Sequence, residues 1–295
     1  MRIDVRHRTE YVFDGPVFLE PHVIRLRPRS DATVRLVDFG LDIDPAPVLR
    51  ADNLDIDGNV VTRAWFEGTT TQLEVRSRAT VDTFATDPFQ FLVAEPERTL
   101  PYAYATDFGQ RLAHYRQVPD AAHVSVREVA LEVARGSKRD QSSFPLMLAQ
   151  HLSGMFTMER RPEGEPQPPE VTIDSRRGAC RDIAVLFIEC CRAMGLAARF
   201  VSGYALAVGP DANELHAWAE VYLRGGGWRG YDPSQGLAVG DRHVPVAAAA
   251  EPRDAAAVTG TFRGDGVRAR LDSEVVLQVG SAGAPSGPPP LPTNE

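Results

Sequence analysis

The side chains of this sequence best suited to attack a carbonyl are one cysteine, one histidine and one aspartate in the second half of the chain: Cys180, His216 and Asp232. Cys180 opens the apolar run CRDIAVLFIECC. If that run is a helix, the sulfur meets unpaired backbone N–H groups and the positive end of the helix dipole, which favour thiolate over thiol. The same N–H groups can stabilise the oxyanion of a tetrahedral intermediate, an effect worth ~3 kcal/mol per donor. His216 would take the thiol proton and return it to a leaving amine, while Asp232 fixes the imidazole tautomer and stabilises its charged form. Taken singly, each has a plainer reading. A lone cysteine at a helix start is more often structural, a lone strand histidine is usually a satisfied core residue, and Asp-Pro commonly ends a strand. Only their order and context together carry the chemistry.

Those side chains need elements to bring them together. The apolar pattern predicts a buried helix over residues 179–194, ended by Gly195 as a natural C′ residue, with Cys190 and Cys191 packed inside it. ARFVSGYALAV, LHAWAEVYL and GGWRGYDPS read as strands, the last two joined through RGGG as a hairpin. Alternation puts His216 on one face with Trp218, Glu220 and Tyr222, and the small residues Ala217 and Ala219 on the other. Pairing across RGGG sets His216 and Asp232 diagonally, not directly opposite, and a modest register shift or a bulge would close the gap. Upstream, two scaffold helices are expected, one capped by Asp120 and running to about Arg135, one from Ser142 or Ser143 to about Leu152. The proline-rich segment 160–170 reads as an exposed loop, a candidate wall or lid of a cleft.

Residues 1–95 show short alternating runs with a DGN turn at residues 57–59, the pattern of a β-sandwich. Residues 87–104, rich in Pro and aromatics, read as a linker, and residues 105–280 as the second domain, with SEVVLQVG as its last strand. Residues 281–295 lack the apolar content to pack and read as a disordered tail. The fold class is thus α+β.

Composition narrows the function. A net charge of -8 leaves no broad cationic surface, so nucleic acid is not expected as a partner. No apolar run approaches the ~20 residues that span a bilayer, so no membrane partner is expected. The N-terminal residues have no apolar signal core, and three cysteines, two of them adjacent, make no disulfide framework; a reducing cytoplasm is the expected location. No CxxC or HxxxH pair supports a zinc site, and neither metal nor cofactor is expected.

The run GACRDIAVLFIECCRAMGLAARFVSGY followed by LHAWAEVYLRGGGWRGYDPSQG resembles the core of the bacterial transglutaminase-like family. Its four motifs fall on Gly178, Cys180 and Asp182; on Gly195, Ala198, Arg199, Val201, Gly203 and Tyr204; on His216, Ala217, Trp218 and Glu220; and on Gly227, Trp228, Asp232 and Pro233. The opening YVFDGPVFLEPHVIRLRPR and the DGN turn resemble the β-rich region that accompanies this core in bacterial members. By position the resemblance implies a catalytic triad of Cys180, His216 and Asp232 on a papain-like core whose nucleophile helix packs on an antiparallel sheet. It implies acyl transfer on amide or peptide bonds through a thioester, with a peptide or protein substrate and either water or an amine as acceptor. Trp218 and Tyr204 are expected to line the substrate groove, with a buried core role as the plainer reading. Asp182 is explained by the helix dipole or by a contact behind the cleft, and Gly178 by close backbone approach at the helix start. Arg181, where many relatives carry Gln, and Met158, where relatives often carry an aromatic, depart from the pattern and leave a side-chain oxyanion donor unassigned. The competing class is a binding or scaffold module that retains the fold without activity.

Overall fold

The computed structural model describes residues 1–93, 99–118, 124–161, 163–206 and 214–280. Alternating burial along Arg2–Leu19 marks a strand with one face turned inward, as its sequence requires. It pairs antiparallel with Thr70–Thr83, which in turn pairs with Val34–Asp44. A second sheet runs Leu49–Leu54, Val60–Trp65, His22–Ile24 and Val258–Thr259. Phe13, Leu19, Ile24, Phe66, Leu73 and Val75 fill the space between the two sheets, which gives the expected sandwich. The DGN turn forms as read: Gly58 takes a positive φ of 79°, and the Asp55 carboxylate accepts the N–H groups of Asp57 and Asn59.

The second half of the chain builds an antiparallel sheet in the order Leu237–Ala238, Gly227–Asp232, Leu215–Leu223, Ala198–Ala205 and His243–Ala249. The helix Cys180–Ala193 lies on it, backed by helices Val124–Gly136 and Phe144–Met155. Ile183, Leu186 and Phe187 are fully buried against Ala217, Ala219 and Val221. Each such side chain contributes roughly 1.5–3 kcal/mol over its exposed state. Gly195 ends the helix at a φ of 80°, where a Cβ would meet the Tyr102 carbonyl oxygen at 2.2 Å, so a side chain is excluded twice over.

Several expectations need correction. Part of the segment read as a linker is core: Leu100, Tyr102 and Tyr104 are buried, and the Tyr102 N–H donates to the Met194 carbonyl at the end of the long helix. Aromatic side chains that looked like linker content pack against that helix end. The strand containing SEVVLQVG, Ala269–Val279, does not close the second domain; it pairs along most of Arg2–Leu19, in the first sheet. The chain therefore leaves the helix-bearing half after the short turn Pro252–Ala255 and returns to the sandwich. Proline-rich residues 160–170 are not wholly loop, because Pro169 starts the helix Pro169–Ser175, the position where a missing N–H costs nothing. The Asp120 cap and the tail 281–295 lie outside the described residues.

The halves are joined by hydrogen bonds as well as by packing. Asn59 donates its side-chain amide to the Ala248 carbonyl at 2.8 Å and accepts the Ala248 N–H at 2.9 Å, satisfying both backbone groups of an edge-strand residue. His7 Nδ1 meets the Tyr204 hydroxyl at 2.9 Å, and the Thr83 hydroxyl donates to the Asp241 carbonyl.

Candidate active site

The head of the long helix is built so that Cys180 is its first residue, with Ala179 as N-cap in extended conformation. Ala179 has no side-chain oxygen, so only half of a capping box forms: the Asp182 carboxylate accepts the Ala179 N–H at 2.7 Å. The first α-type bond runs from the Ile183 N–H to the Ala179 carbonyl, so the N–H groups of Cys180 and Arg181 precede the helical ladder. Gly178 supplies the close approach expected of it, since a Cβ there would lie 3.1 Å from Asp182 Cβ and 3.3 Å from Thr172 Cγ2. Cys180 itself is partly exposed, whereas Cys190 and Cys191 are sealed, and burial pushes both of their thiols far up.

Asp182 is fully buried and reaches beyond the helix. Its Oδ1 accepts the Gln167 N–H at 2.8 Å and a guanidinium N–H of Arg161, while the neighbouring Arg181 donates to the carbonyls of Arg161 and Glu163. The short parallel pair Thr157–Met158 with Arg177–Gly178 fastens the loop at its base. Residues on both sides of the loop are thus tied to the two positions that follow the cysteine, which anchors the segment to the head of the helix.

On the sheet, Ala219 pairs with Tyr231 and Glu220 with Gly230, so continuation of the ladder sets Asp232 opposite Trp218 and diagonal to His216. The diagonal reach is enough: His216 Nε2 lies 2.7 Å from Asp232 Oδ2 with no register shift in this strand pair. That contact leaves Nδ1 as the nitrogen available to the sulfur. Burial by itself favours a neutral imidazole, but hydrogen bonds to Asp232 and Cys180, and the charges of those two groups, outweigh it and raise His216 to about 10. His216 and Asp232 are therefore in direct contact, with Cys180 near enough to bear on the same imidazole.

Asp232 is held more completely than sequence suggests. Its Oδ1 accepts the Ser234 N–H at 3.1 Å, the Ser234 hydroxyl at 2.6 Å and the Gln235 N–H at 3.2 Å. A second imidazole, His243 Nε2, approaches Oδ2 at 3.3 Å. Desolvation opposes the buried charge, yet the donors from His216, His243 and Ser234 overcome it and keep the carboxyl well below the usual carboxylate range.

The expected groove aromatics lie elsewhere. Trp218 and Tyr204 are both 0 % exposed. Trp218 packs with Val201 and Ala248 and lies over Gly203, where a Cβ would stand 2.6 Å from its ring. Tyr204 faces the sandwich, its hydroxyl on His7. Neither lines a groove, because Val201 and Ala248 on the neighbouring strands cover Trp218 and the sandwich covers Tyr204. Glu220 is engaged by Arg199, whose guanidinium also stacks over Trp228 at 4.1 Å, so it orients an arginine and not the imidazole. Sequence reading passed over His243 altogether; the signal available was its place at the mouth of the apolar run VPVAAAA, a strand pattern that brings it onto the same sheet.

Comparison with known proteins agrees with this architecture. Residues 3–82 match the model of the bacterial transglutaminase-like N-terminal region, and residues 127–233 that of the transglutaminase-like superfamily. An uncharacterized protein of Mycobacterium tuberculosis is 30% identical over 264 residues, covering 83% of this chain and 82% of that one. Another, from Mycobacterium leprae, is 25% identical over 295 residues, covering 94% and 98%. Among solved structures, one described as a candidate cysteine protease from Cytophaga hutchinsonii superposes with a TM-score of 0.68 at 20% identity, covering 96% of this chain and 92% of that one. With both family regions present in order and a relative matched over most of its length, this chain belongs to the bacterial transglutaminase-like family.

Proposed function

We propose that the protein is a cysteine-nucleophile enzyme that transfers acyl groups from amide or peptide bonds through a thioester. The double engagement of His216, by Asp232 on one side and Cys180 on the other, is the observation that carries this reading. In the first half-reaction the sulfur attacks the carbonyl carbon as a thiolate, its proton already held by the His216 imidazolium. The oxyanion forms against backbone N–H groups at the helix head. On collapse the C–N bond breaks, and the imidazolium delivers its proton to the departing ammonia or amine. In the second half-reaction water or a primary amine attacks the thioester, gives its proton to His216, and releases the cysteine. Asp232 keeps the ring oriented and its cation stable throughout. The substrate class is a peptide or protein carbonyl, and the loop tied to Arg181 and Asp182 forms one wall of its binding cleft.

Two measurements test this. Iodoacetamide below pH 7 should label Cys180 at least 100-fold faster than Cys190 or Cys191, and His216→Ala should slow that labelling; equal slow labelling of all three would remove the activated nucleophile. A peptide library incubated with and without a primary amine, read by mass spectrometry, should show cleavage, deamidation or amine incorporation that disappears in Cys180→Ala. Product formation that persists in Cys180→Ala would overturn the assignment.

A further inference from the structure

Asp232 receives more donors than orienting one imidazole requires. Two N–H groups and a hydroxyl already occupy Oδ1, yet Oδ2 is shared between His216 at 2.7 Å and His243 at 3.3 Å. His243 is itself 4 % exposed and sits at the start of the strand His243–Ala249, opposite Ala205. The edge of its ring meets Trp218 at a centroid distance of 5.3 Å, and Trp218 in turn lies tilted against His216. Two imidazoles, one carboxylate and one indole thus form a single buried cluster behind the cysteine.

Chemistry fixes the proton on the second ring. An ionised carboxylate only accepts hydrogen bonds, so His243 must carry a hydrogen on Nε2 to engage it. Its Nδ1 has no hydrogen-bond partner among the described residues, and neither does the indole nitrogen of Trp218. Among the described residues nothing supplies a second acceptor, so Nε2–H is the donor through which this ring is held.

We propose that His243 is a positioning residue of the acyl-transfer site: its Nε2–H grips Asp232 Oδ2, locks the carboxylate plane towards His216 and draws off part of the negative charge that His216 would otherwise face alone. This rests on the functional reading above, since a positioning role presupposes that His216 moves protons. The physical value of such sharing is clear. An imidazole paired with an unshared buried carboxylate binds its proton more tightly, and a competing donor on the same oxygen lowers that affinity towards the range in which general acid catalysis is efficient.

The proposal can be tested with the intact chain and no substrate. Imidazole ¹⁵N and ¹H NMR of the wild-type protein should show a proton on His243 Nε2 at pH 7. A ring protonated on Nδ1 alone overturns the proposal without any variant being made. In His243→Phe the His216 titration midpoint should rise by about one pH unit, the size of one charged hydrogen bond. His243→Gln, which keeps an N–H donor, should return it towards the wild-type value. An unchanged or lowered midpoint in His243→Phe, or the same shift in both variants, also overturns it, since loss of packing alone would not follow the donor. Iodoacetamide labelling of wild-type Cys180 separates the two levels: unreactive Cys180 defeats the functional reading, whereas reactive Cys180 with the wrong His243 tautomer defeats only the positioning role.

Discussion

His7 and His216 are both histidines set into antiparallel sheets and largely removed from water, yet they are driven in opposite directions. His7 lies between the sandwich and the second sheet, surrounded by the hydroxyls of Tyr204, Thr9 and Ser273, and burial lowers it to about 4. His216 also suffers desolvation, but its partners are Asp232 and Cys180, and it rises to about 10. Burial is common to both; the charge of the partner decides the sign. A neutral hydroxyl cage leaves a histidine uncharged, and a carboxylate and thiol pair makes one that keeps its proton.

The sharpest way to break that contrast is to make His216 resemble His7. Asp232→Asn removes the charge and keeps the shape, so the imidazole should lose its proton well below pH 10, and acyl transfer measured on a substrate from the peptide library should fall by about 10³–10⁴-fold. The two rings should also leave opposite marks on stability. The folded state keeps His7 neutral while the unfolded chain binds a proton near 6.5, so stability should fall by about 3 kcal/mol as pH drops from 6.5 to 4. His7→Gln should flatten that acid limb in urea midpoints. For His216 the sign reverses. Its contribution is fully present below 6.5 and is lost as pH rises through about 10, so His216→Gln should flatten the alkaline limb.

Smaller perturbations ask whether the seam and the site are separable. Asn59→Ala leaves the buried N–H and carbonyl of Ala248 without partners and should cost about 2 kcal/mol by chemical denaturation, with the rate of Cys180 labelling unchanged. Coupled loss of labelling would show that the sandwich supports the site directly. Arg181→Met releases two loop carbonyls and should raise amide exchange in residues 159–167 by about tenfold, while global stability changes by less than ~1 kcal/mol.

How far these features could be read from sequence depended on whether a short-range pattern determined them. The helix at 180–193 was legible because apolar residues and Gly195 fix both its body and its end. The diagonal of His216 and Asp232 was legible because RGGG joins adjacent strands and sets their register. His243 was not, since it arrives on a strand at the far side of the sheet, next to Ala198–Ala205, and nothing local ties it to Asp232. The groove roles given to Trp218 and Tyr204 failed for a related reason: an aromatic on an alternating strand looks the same whether its face meets solvent or another domain. Leu100, Tyr102 and Tyr104 looked like linker because their partners, Arg139 for the first and the end of the long helix for the other two, lie far along the chain.

The return of Ala269–Val279 to the edge of Arg2–Leu19 bears on how the polypeptide emerges from the ribosome. A nascent chain completes the opening sandwich strands early, but one flank of Arg2–Leu19 must stay without its neighbour until all of the helix-bearing half has been synthesised. The newborn protein is therefore most exposed to mispairing along that flank, and closure of the first-made sheet is among the last steps of its assembly.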